Sequence, residues 1–354
     1  MKQNPRFLIF LLLFAALLLP CCSPREKGAA SDTKVFFDTS VTLTIYGDEA
    51  EAALSECFDL CRNYELIYSA DNKNSELSKI NRREGVEVDA EGRSVFTVSD
   101  ELAEAVRLGL GAWEDSAGMF DITMRPVTVL WDFRSGKGSV PDDYLLSEEV
   151  LRVGSEWLEL SGNTLSVNNR NTAIDLGAVA KGCISARLKD YLRNRAGIDG
   201  AILNLGGNIS VFGTKPDGTP WQIGIQKPFT ERGELISTVL LEDGCVISSG
   251  VYERNFTEKG IFYHHILSPE DGMPVHSGLT QATVIGTDDA LADTLSTVCM
   301  LLGKDASEAL IQEKGYEVKI LYTLDDGSLV LFDPESGEES VREGEQLDFR
   351  QEVD

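Results

Sequence analysis

Apolar positions recur in two periods that take turns along the chain. From Val35 to Tyr46 they fall on every second residue, with Val41, Leu43 and Ile45 on one face, which predicts a half-buried strand. After Asp48, a residue able to cap a helix, the spacing lengthens. Leu54, Cys57, Phe58 and Cys61 lie three and four apart and predict a helix to about Tyr68. A polar loop, Ser69 to Asn74, follows. Ser75 then opens Glu76-Leu77-Ser78-Lys79-Ile80-Asn81, which reads either as one capped helical turn or as a surface turn. Ser99 caps a further helix through Trp113, with Leu102, Ala105, Val106, Gly109 and Ala112 on its inner face.

Gly118 ends that segment, and Met119-Phe120-Asp121-Ile122-Thr123-Met124-Arg125-Pro126 comes next. Asp121 between apolar neighbours is either a capping residue or a carboxylate aimed into a cleft. Trp157 to Val167 reads as a hairpin around Gly162-Asn163. Ala173 to Gly182 reads as a strand end at Asp175, a small-residue turn for which Gly177 supplies the freedom, and the start of a helix to about Ala196 that Gly197 can terminate. Gly200 to Leu205 is a strand interrupted at Gly206-Gly207-Asn208, a pattern that predicts a bulge or a close approach, with Ile209 to Phe212 continuing it. Trp221 to Ile225, Ile236 to Leu241, Cys245 to Gly250 and Thr280 to Gly286 are further strands. Asp288 caps a helix to about Leu302, and a short helix and a hairpin around Asp326-Gly327 close the pattern. Clustered strands with scattered helices and no internal linker predict an α+β fold over residues 35–333 with one composite cleft.

The first 22 residues belong to a different class. Lys2 and Arg6 precede a thirteen-residue apolar run, Phe7 to Leu19, that is short for a membrane span, and Pro20-Cys21-Cys22 follows it. A leucine-rich run ending in cysteine resembles a bacterial lipoprotein signal. It implies an exported protein anchored to a membrane through lipid on Cys21 or Cys22, facing the periplasm or cell exterior, with residues 23–34 as a polar tether. An ordinary secretory signal cut nearby is the alternative. The stretch 334–354 reads as a loose acidic tail.

Composition narrows the partners. The formal net charge is -26, which disfavours nucleic acid and anionic membrane surfaces, so an anionic ligand needs a local site or a cation. Beyond residue 22 there are five cysteines, an odd number that argues against a full disulfide framework; Cys57 and Cys61 sit on one predicted helix face as packing residues. No Walker A, GxGxxG or GxSxG motif is present, and no Cys/His cluster has zinc spacing.

Two constellations carry chemistry. Asp175, bare backbone and Lys181 lie within seven residues at a helix N-terminus, which suits a phosphate-bearing ligand. Asp293 and Thr297, four apart on one helix, offer two hard oxygens to Mg²⁺, and the main-chain carbonyl of Ala178 can add a third; a mid-helix Thr bonded to its own turn is the alternative. His265 is a candidate general acid or base, or a structural histidine.

Taken in order, Ser75-Glu76-Leu77-Ser78, Phe120-Asp121-Ile122-Thr123 with Pro126 and Trp131, Asp175-Leu176-Gly177-Ala178-Val179-Ala180-Lys181-Gly182, Asn204-Leu205-Gly206-Gly207-Asn208, His265-Ile266 with Pro269 and Gly272, and Ala292-Asp293-Thr294-Leu295-Ser296-Thr297 resemble the ApbE family of FAD:protein FMN transferases, from about Val35 to Gly303. The resemblance implies two lobes enclosing one flavin cleft, with FAD as substrate and Mg²⁺ on Asp293, Thr297 and the Ala178 carbonyl. It implies flavin contacts from Met119, Phe120, Asp121, Asp175, Lys181 and Ile266, and His265 at the reacting end. FMN would pass to a Thr or Ser hydroxyl of an exported or membrane partner protein, with AMP released. One departure stands out. Asp71 falls about where many members carry an aromatic against the flavin, which keeps a Mg²⁺-dependent FAD pyrophosphatase as an alternative. A flavin-binding lipoprotein without turnover is the non-enzymatic one.

Overall fold

Phe37 and Asp38 have positive φ angles of 55° and 57°, and this two-residue turn folds the first alternating stretch into a hairpin instead of one strand. β1 is Ala29–Phe36 and β2 is Thr39–Tyr46. The computed structural model describes residues 28–133, 137–169 and 171–350. The expected signal, with Cys21 and Cys22, lies outside these. The expected tether is corrected, because residues 29–34 pair with 41–46. Val41, Leu43 and Ile45 are fully buried, as their alternation predicted. α1, Ala50–Tyr68, starts from Glu49 rather than Asp48 and has no side-chain cap. It buries Cys57 and Cys61 as free thiols that burial pushes up to about 12.

Ser75 does cap α2, Glu76–Asn81, its Oγ accepting from the Ser78 N–H. The surface-turn alternative fails because Ser75 and Leu77 are fully buried. β3 (Glu87–Val88) and β4 (Ser94–Thr97) precede α3, Asp100–Asp115, which Ser99 caps as predicted. α4 is Arg125–Trp131, with Pro126 in its first turn, and α5 is Asp143–Val150. β5 (Leu158–Ser161) and β6 (Thr164–Val167) form the predicted hairpin. Asp175 does not end a strand: only Ala173 forms a bridge, to Met124, before the turn into α6, Ala180–Arg193. β7 (Gly200–Leu205) and β8 (Asn208–Gly213) are partners in a hairpin, so Gly206-Gly207 is its turn and not the expected bulge.

β9 (Trp221–Gln226), β10 (Leu235–Leu241) and β11 (Gly244–Gly250) follow, then the ribbon of β12 (Asn255–Glu258) and β13 (Ile261–His264). β14 (Leu279–Gly286), α7 (Asp289–Leu302, capped by Asp288) and α8 (Lys304–Lys314) lead to β15 (Lys319–Leu324) and β16 (Leu329–Asp333). The tail is corrected too. β17 (Gly337–Val341) and β18 (Gln346–Asp348) complete two sheets, and Leu347 is buried.

Among the described residues, nine strands form one sheet in the order β1-β2-β7-β8-β11-β14-β15-β16-β17, each pair antiparallel. Period-two alternation sorts its side chains onto two cores. Cys245, Ile247, Ala282, Val284, Ile320 and Tyr322 face α1, α3, α6 and α7. Val246, Ile285 and Leu321 face the small sheet β18-β10-β9. A third, smaller core joins α4 and α5 around Trp131, whose Nε1–H donates to the Gly272 carbonyl at 2.9 Å. The architecture is α+β, as predicted.

Candidate active site

The crossing of α6 and α7 is held open by a missing side chain. A Cβ on Gly182 would lie 2.5 Å from the Asp289 carbonyl oxygen and 2.6 Å from Asp293 Cβ. This small residue therefore serves helix packing, not the expected approach of a ligand. The contact lets the Gly182 N–H donate to Asp293 Oδ2 at 2.8 Å. Gly182 is the third residue of α6, so its N–H has no partner within the helix, and the Ala178 carbonyl lies just before the helix. Among the described residues, no hydrogen bond ends on that carbonyl. Asn208 Nδ2–H donates to Asp293 Oδ1 at 2.7 Å, and Lys181 Nζ lies 3.3 Å from the same oxygen and 3.4 Å from the Gly177 carbonyl. One turn further, Thr297 Oγ1 is 3.2 Å from Ser249 Oγ, at the end of β11. Thr294 is the residue bonded back to its own turn, to the Ala290 carbonyl at 3.0 Å.

Asp293 supplies a buried carboxylate and Thr297 a half-buried hydroxyl one turn apart on α7, and the Ala178 carbonyl lies just before α6. That donor set fits Mg²⁺, which takes few protein oxygens and keeps waters or substrate phosphates. Among the described residues, no group of three His, Cys, Asp or Glu side chains converges, so the set lacks the composition of a zinc or EF-hand site.

His265 follows β13. Its Nδ1 and its backbone N–H both meet the Arg254 carbonyl, at 3.2 and 3.1 Å. With Nδ1 as the donor, Nε2 is left as the acceptor. Burial, then the Arg254 charge, push the imidazole down to about 3, so it is neutral at physiological pH; Lys181 acts on it in the same direction. Neighbouring Glu253 is exposed at its surface, yet packed closely enough to lose part of its hydration. That crowding raises its carboxyl, while Lys181, Arg232 and Arg254 pull it back down. His264 is the structural histidine: it is buried, its Nε2–H donates to the Val275 carbonyl at 3.0 Å, and burial drives it down to about 4.

Asp175 is held by its own turn. Gly177 N–H donates to Asp175 Oδ1 at 2.9 Å, and a Cβ on Gly177 would crowd that oxygen at 3.1 Å. The expected need for unusual backbone angles there is corrected, since Gly177 has no positive φ. Asp121 is also settled. Its Oδ1 accepts from Thr123 N–H, Thr123 Oγ1–H and Ser155 Oγ–H at 2.6–2.8 Å, and its Oδ2 accepts from Ser155 N–H at 2.9 Å. That carboxylate organises the turn instead of pointing into a cleft. Phe120 and Ile266 put their side chains into the main core, which leaves their backbone for any ligand, and Met119 is half-buried. Asp71 pairs with Arg125, whose other terminal nitrogen is 3.5 Å from Asp175 Oδ2.

A sequence profile described as the ApbE family matches residues 37–321. The chain belongs to the ApbE family. It is 29% identical over 312 residues to a FAD:protein FMN transferase of Klebsiella pneumoniae, covering 88% of this chain and 94% of that protein. It is 32% identical over 257 residues to one of Vibrio cholerae, covering 72% and 75%. Among solved structures, the flavin transferase ApbE of Vibrio cholerae aligns with a TM-score of 0.71 at 24% identity, over 90% of this chain and 97% of that one. The apo flavinyl transferase ApbE of Pseudomonas stutzeri aligns at 0.72, also 24% identical, over 90% and 96%. These structures share the ApbE fold with this chain.

Within the ApbE fold the motifs separate by task. Asn208, Ser249 and Arg125 were not singled out as site residues from sequence, although Asn208 closes the Asn204-Leu205-Gly206-Gly207-Asn208 motif. Gly206 and Gly207, at φ 65° and 100°, make the turn, and Asn204 Oδ1 accepts from Gly207 N–H at 2.9 Å, so Asn208 can reach Asp293. A cavity of about 300 Å³ is lined by Leu66, Glu76, Lys79, Ile80, Phe96 and Thr97 among others; it contains none of the expected flavin or metal residues.

Proposed function

We propose that this protein is a Mg²⁺-dependent FAD:protein FMN transferase that attaches FMN by a phosphoester to a Thr or Ser of a partner protein and releases AMP. Support comes from family membership and above all from one observation: the Gly182 N–H and the Asn208 amide both donate to Asp293, which fixes that carboxylate beside Lys181 and one turn from Thr297. Asp293, Thr297 and the Ala178 carbonyl would hold Mg²⁺, which when bound neutralises the pyrophosphate and makes AMP a better leaving group. Lys181 adds a fixed positive charge at the same place. His265 Nε2 takes the proton of the acceptor hydroxyl. The hydroxyl oxygen bonds to the FMN phosphorus, the bond from that phosphorus to the bridging oxygen breaks, and the electron pair leaves with AMP. The Arg254 carbonyl fixes the tautomer this requires.

A FAD pyrophosphatase differs only in using water as the acceptor. Asp71, where an aromatic wall is expected, gives the flavin no ring to stack on, which favours some of this second reaction, while its ion pair with Arg125 opposes it. The anchor on Cys21 or Cys22 completes the proposal: the partner would be exported or membrane-bound, reached from the same side of the membrane. Incubation with FAD, Mg²⁺ and a Thr-bearing acceptor protein tests it. Transfer gives AMP and an acceptor heavier by FMN; hydrolysis gives AMP and free FMN; unchanged FAD refutes both.

A further inference from the structure

Arg125 joins two walls that are remote in sequence. One guanidinium nitrogen pairs with Asp71, in the loop between α1 and α2, and another lies 3.5 Å from Asp175 Oδ2, in the turn before α6. The contacts continue from there. Asp175 Oδ1 accepts from Gly177 N–H, Gly177 carbonyl oxygen lies 3.4 Å from Lys181 Nζ, and that Nζ lies 3.3 Å from Asp293 Oδ1. A polar chain therefore runs from the 69–74 loop to the carboxylate at the centre of the site. The Arg125 side chain is 18% exposed and that of Asp175 13%, so this end of the chain is largely screened from water.

The loop is also bonded within itself. Ser69 Oγ accepts from Asn72 N–H at 3.0 Å, Ser75 N–H donates to the Asn72 carbonyl at 2.9 Å, and Ser75 Oγ–H bonds the Ser69 carbonyl. Arg82 Nη2–H holds it from its own side, at the Lys73 carbonyl at 2.6 Å. Arg125 reaches it from the opposite wall. A planar guanidinium can hold two carboxylates at once in a fixed geometry, which an ammonium cannot.

We propose that Arg125 is a positioning residue that straps the 69–74 loop across the substrate cleft, retaining FAD and keeping water from the pyrophosphate. This rests on the FAD-binding reading above. The strap supplies by ion pairing the closure that an aromatic wall would supply by stacking, and it sets the partition of FMN between a protein hydroxyl and water. Because it is electrostatic and partly exposed at Asp71, salt loosens it.

The test uses the metal-free protein with EDTA, so that FAD is not consumed, and the variants Arg125→Gln, Arg125→Lys and Asp71→Asn. Flavin fluorescence measures FAD affinity at low and high salt, and hydrogen exchange measures opening of residues 69–74. Arg125→Gln and Asp71→Asn should weaken FAD binding by about five- to tenfold, remove most of its salt dependence and raise exchange in the loop. Arg125→Lys should restore part of the affinity. With Mg²⁺ and acceptor added, both weakened variants should release more free FMN per transfer. Wild-type affinity, salt dependence and exchange in Arg125→Gln would overturn the strap while leaving the transferase reading intact. A wild-type protein that binds no FAD either with EDTA or with Mg²⁺ would overturn both.

Discussion

Gly182 N–H donates to Asp293 Oδ2 at 2.8 Å, and this bond satisfies a donor that the start of α6 leaves without an intrahelical partner. It couples the closest approach of two helices to the position of a single carboxylate. Gly182→Ala tests that coupling. The added Cβ would lie 2.5 Å from the Asp289 carbonyl oxygen, on backbone that cannot rotate away. The helices must separate, at a cost of about 1–3 kcal/mol. Thermal unfolding should report that loss, and titration calorimetry should report weaker Mg²⁺ binding. An unchanged Mg²⁺ affinity in a destabilised protein would uncouple packing from the site.

A second rung holds the same crossing. Lys189 pairs with Asp289, both buried, and Ser185 Oγ–H donates to the other Asp289 oxygen at 3.0 Å. Burial raises the Asp289 carboxyl, with Lys189 opposing it. Removing one partner strands the other charge, so Lys189→Met should cost about 3–5 kcal/mol in denaturant unfolding. The double variant Lys189→Met, Asp289→Leu should recover most of it. A double variant as unstable as the single one would mean that the pair contributes more than mutual neutralisation.

Stability should depend on the histidines below neutrality. Burial lowers His264 to about 4, from a usual value of 6.5. A folded-state value below the unfolded one means that the unfolded chain binds the extra proton first. The contribution is complete above about pH 6.5 and is lost as pH falls toward 4, on the order of 3 kcal/mol at the low end. His264→Phe should flatten the fall in unfolding temperature between pH 6.5 and 4. An equally steep fall would place the acid sensitivity elsewhere.

Location is tested by changing both Cys21 and Cys22 to Ser. With the acidic surface giving no electrostatic help toward anionic lipid, the anchor alone should hold the protein in the membrane fraction. Among the described residues, no helix is long and apolar enough to cross a membrane. The double variant should leave that fraction; retention with normal processing would contradict lipidation.

The sequence was most legible where one period governs a whole element. The alternation of Val41, Leu43 and Ile45, the Ser99 cap and the hairpin at Gly162-Asn163 all appear as expected. It was least legible where glycine has more than one use. Gly206-Gly207 read as a bulge or a close approach; the approach is real, to Thr39 at Gly206, but nothing local distinguishes an interrupted strand from a two-residue hairpin. Gly182 read as room for a ligand because the helix it touches comes more than a hundred residues later. Separations of 85 and 48 residues hid Asn208 and Ser249, whose amide and hydroxyl types are common and acquire meaning only beside Asp293 and Thr297. Arg125 was hidden because its two partners lie 54 residues before it and well after it in the chain. The Asp121 carboxylate was ambiguous until the Ser155 and Thr123 donors were placed around it.

The central claim is that Asp293 centres a metal-assisted phosphoryl transfer for which His265 supplies the base. The direct measurement is AMP release and acceptor flavinylation by wild type, Asp293→Asn and His265→Gln, with FAD saturating and Mg²⁺ varied. Asp293→Asn is preferred to Ala, because it keeps the side-chain size and one acceptor oxygen, where a truncated side chain would strand the Gly182, Asn208 and Lys181 donors together. Wild type should release one AMP per FMN transferred plus one per FMN hydrolysed. Its rate should show no acid limb near pH 6.5, since His265 stays neutral to about 3. Asp293→Asn should lose AMP release at every Mg²⁺ concentration, and His265→Gln should lose transfer while still binding FAD. Wild-type AMP release from folded Asp293→Asn, or wild-type flavinylation by His265→Gln, would contradict the account.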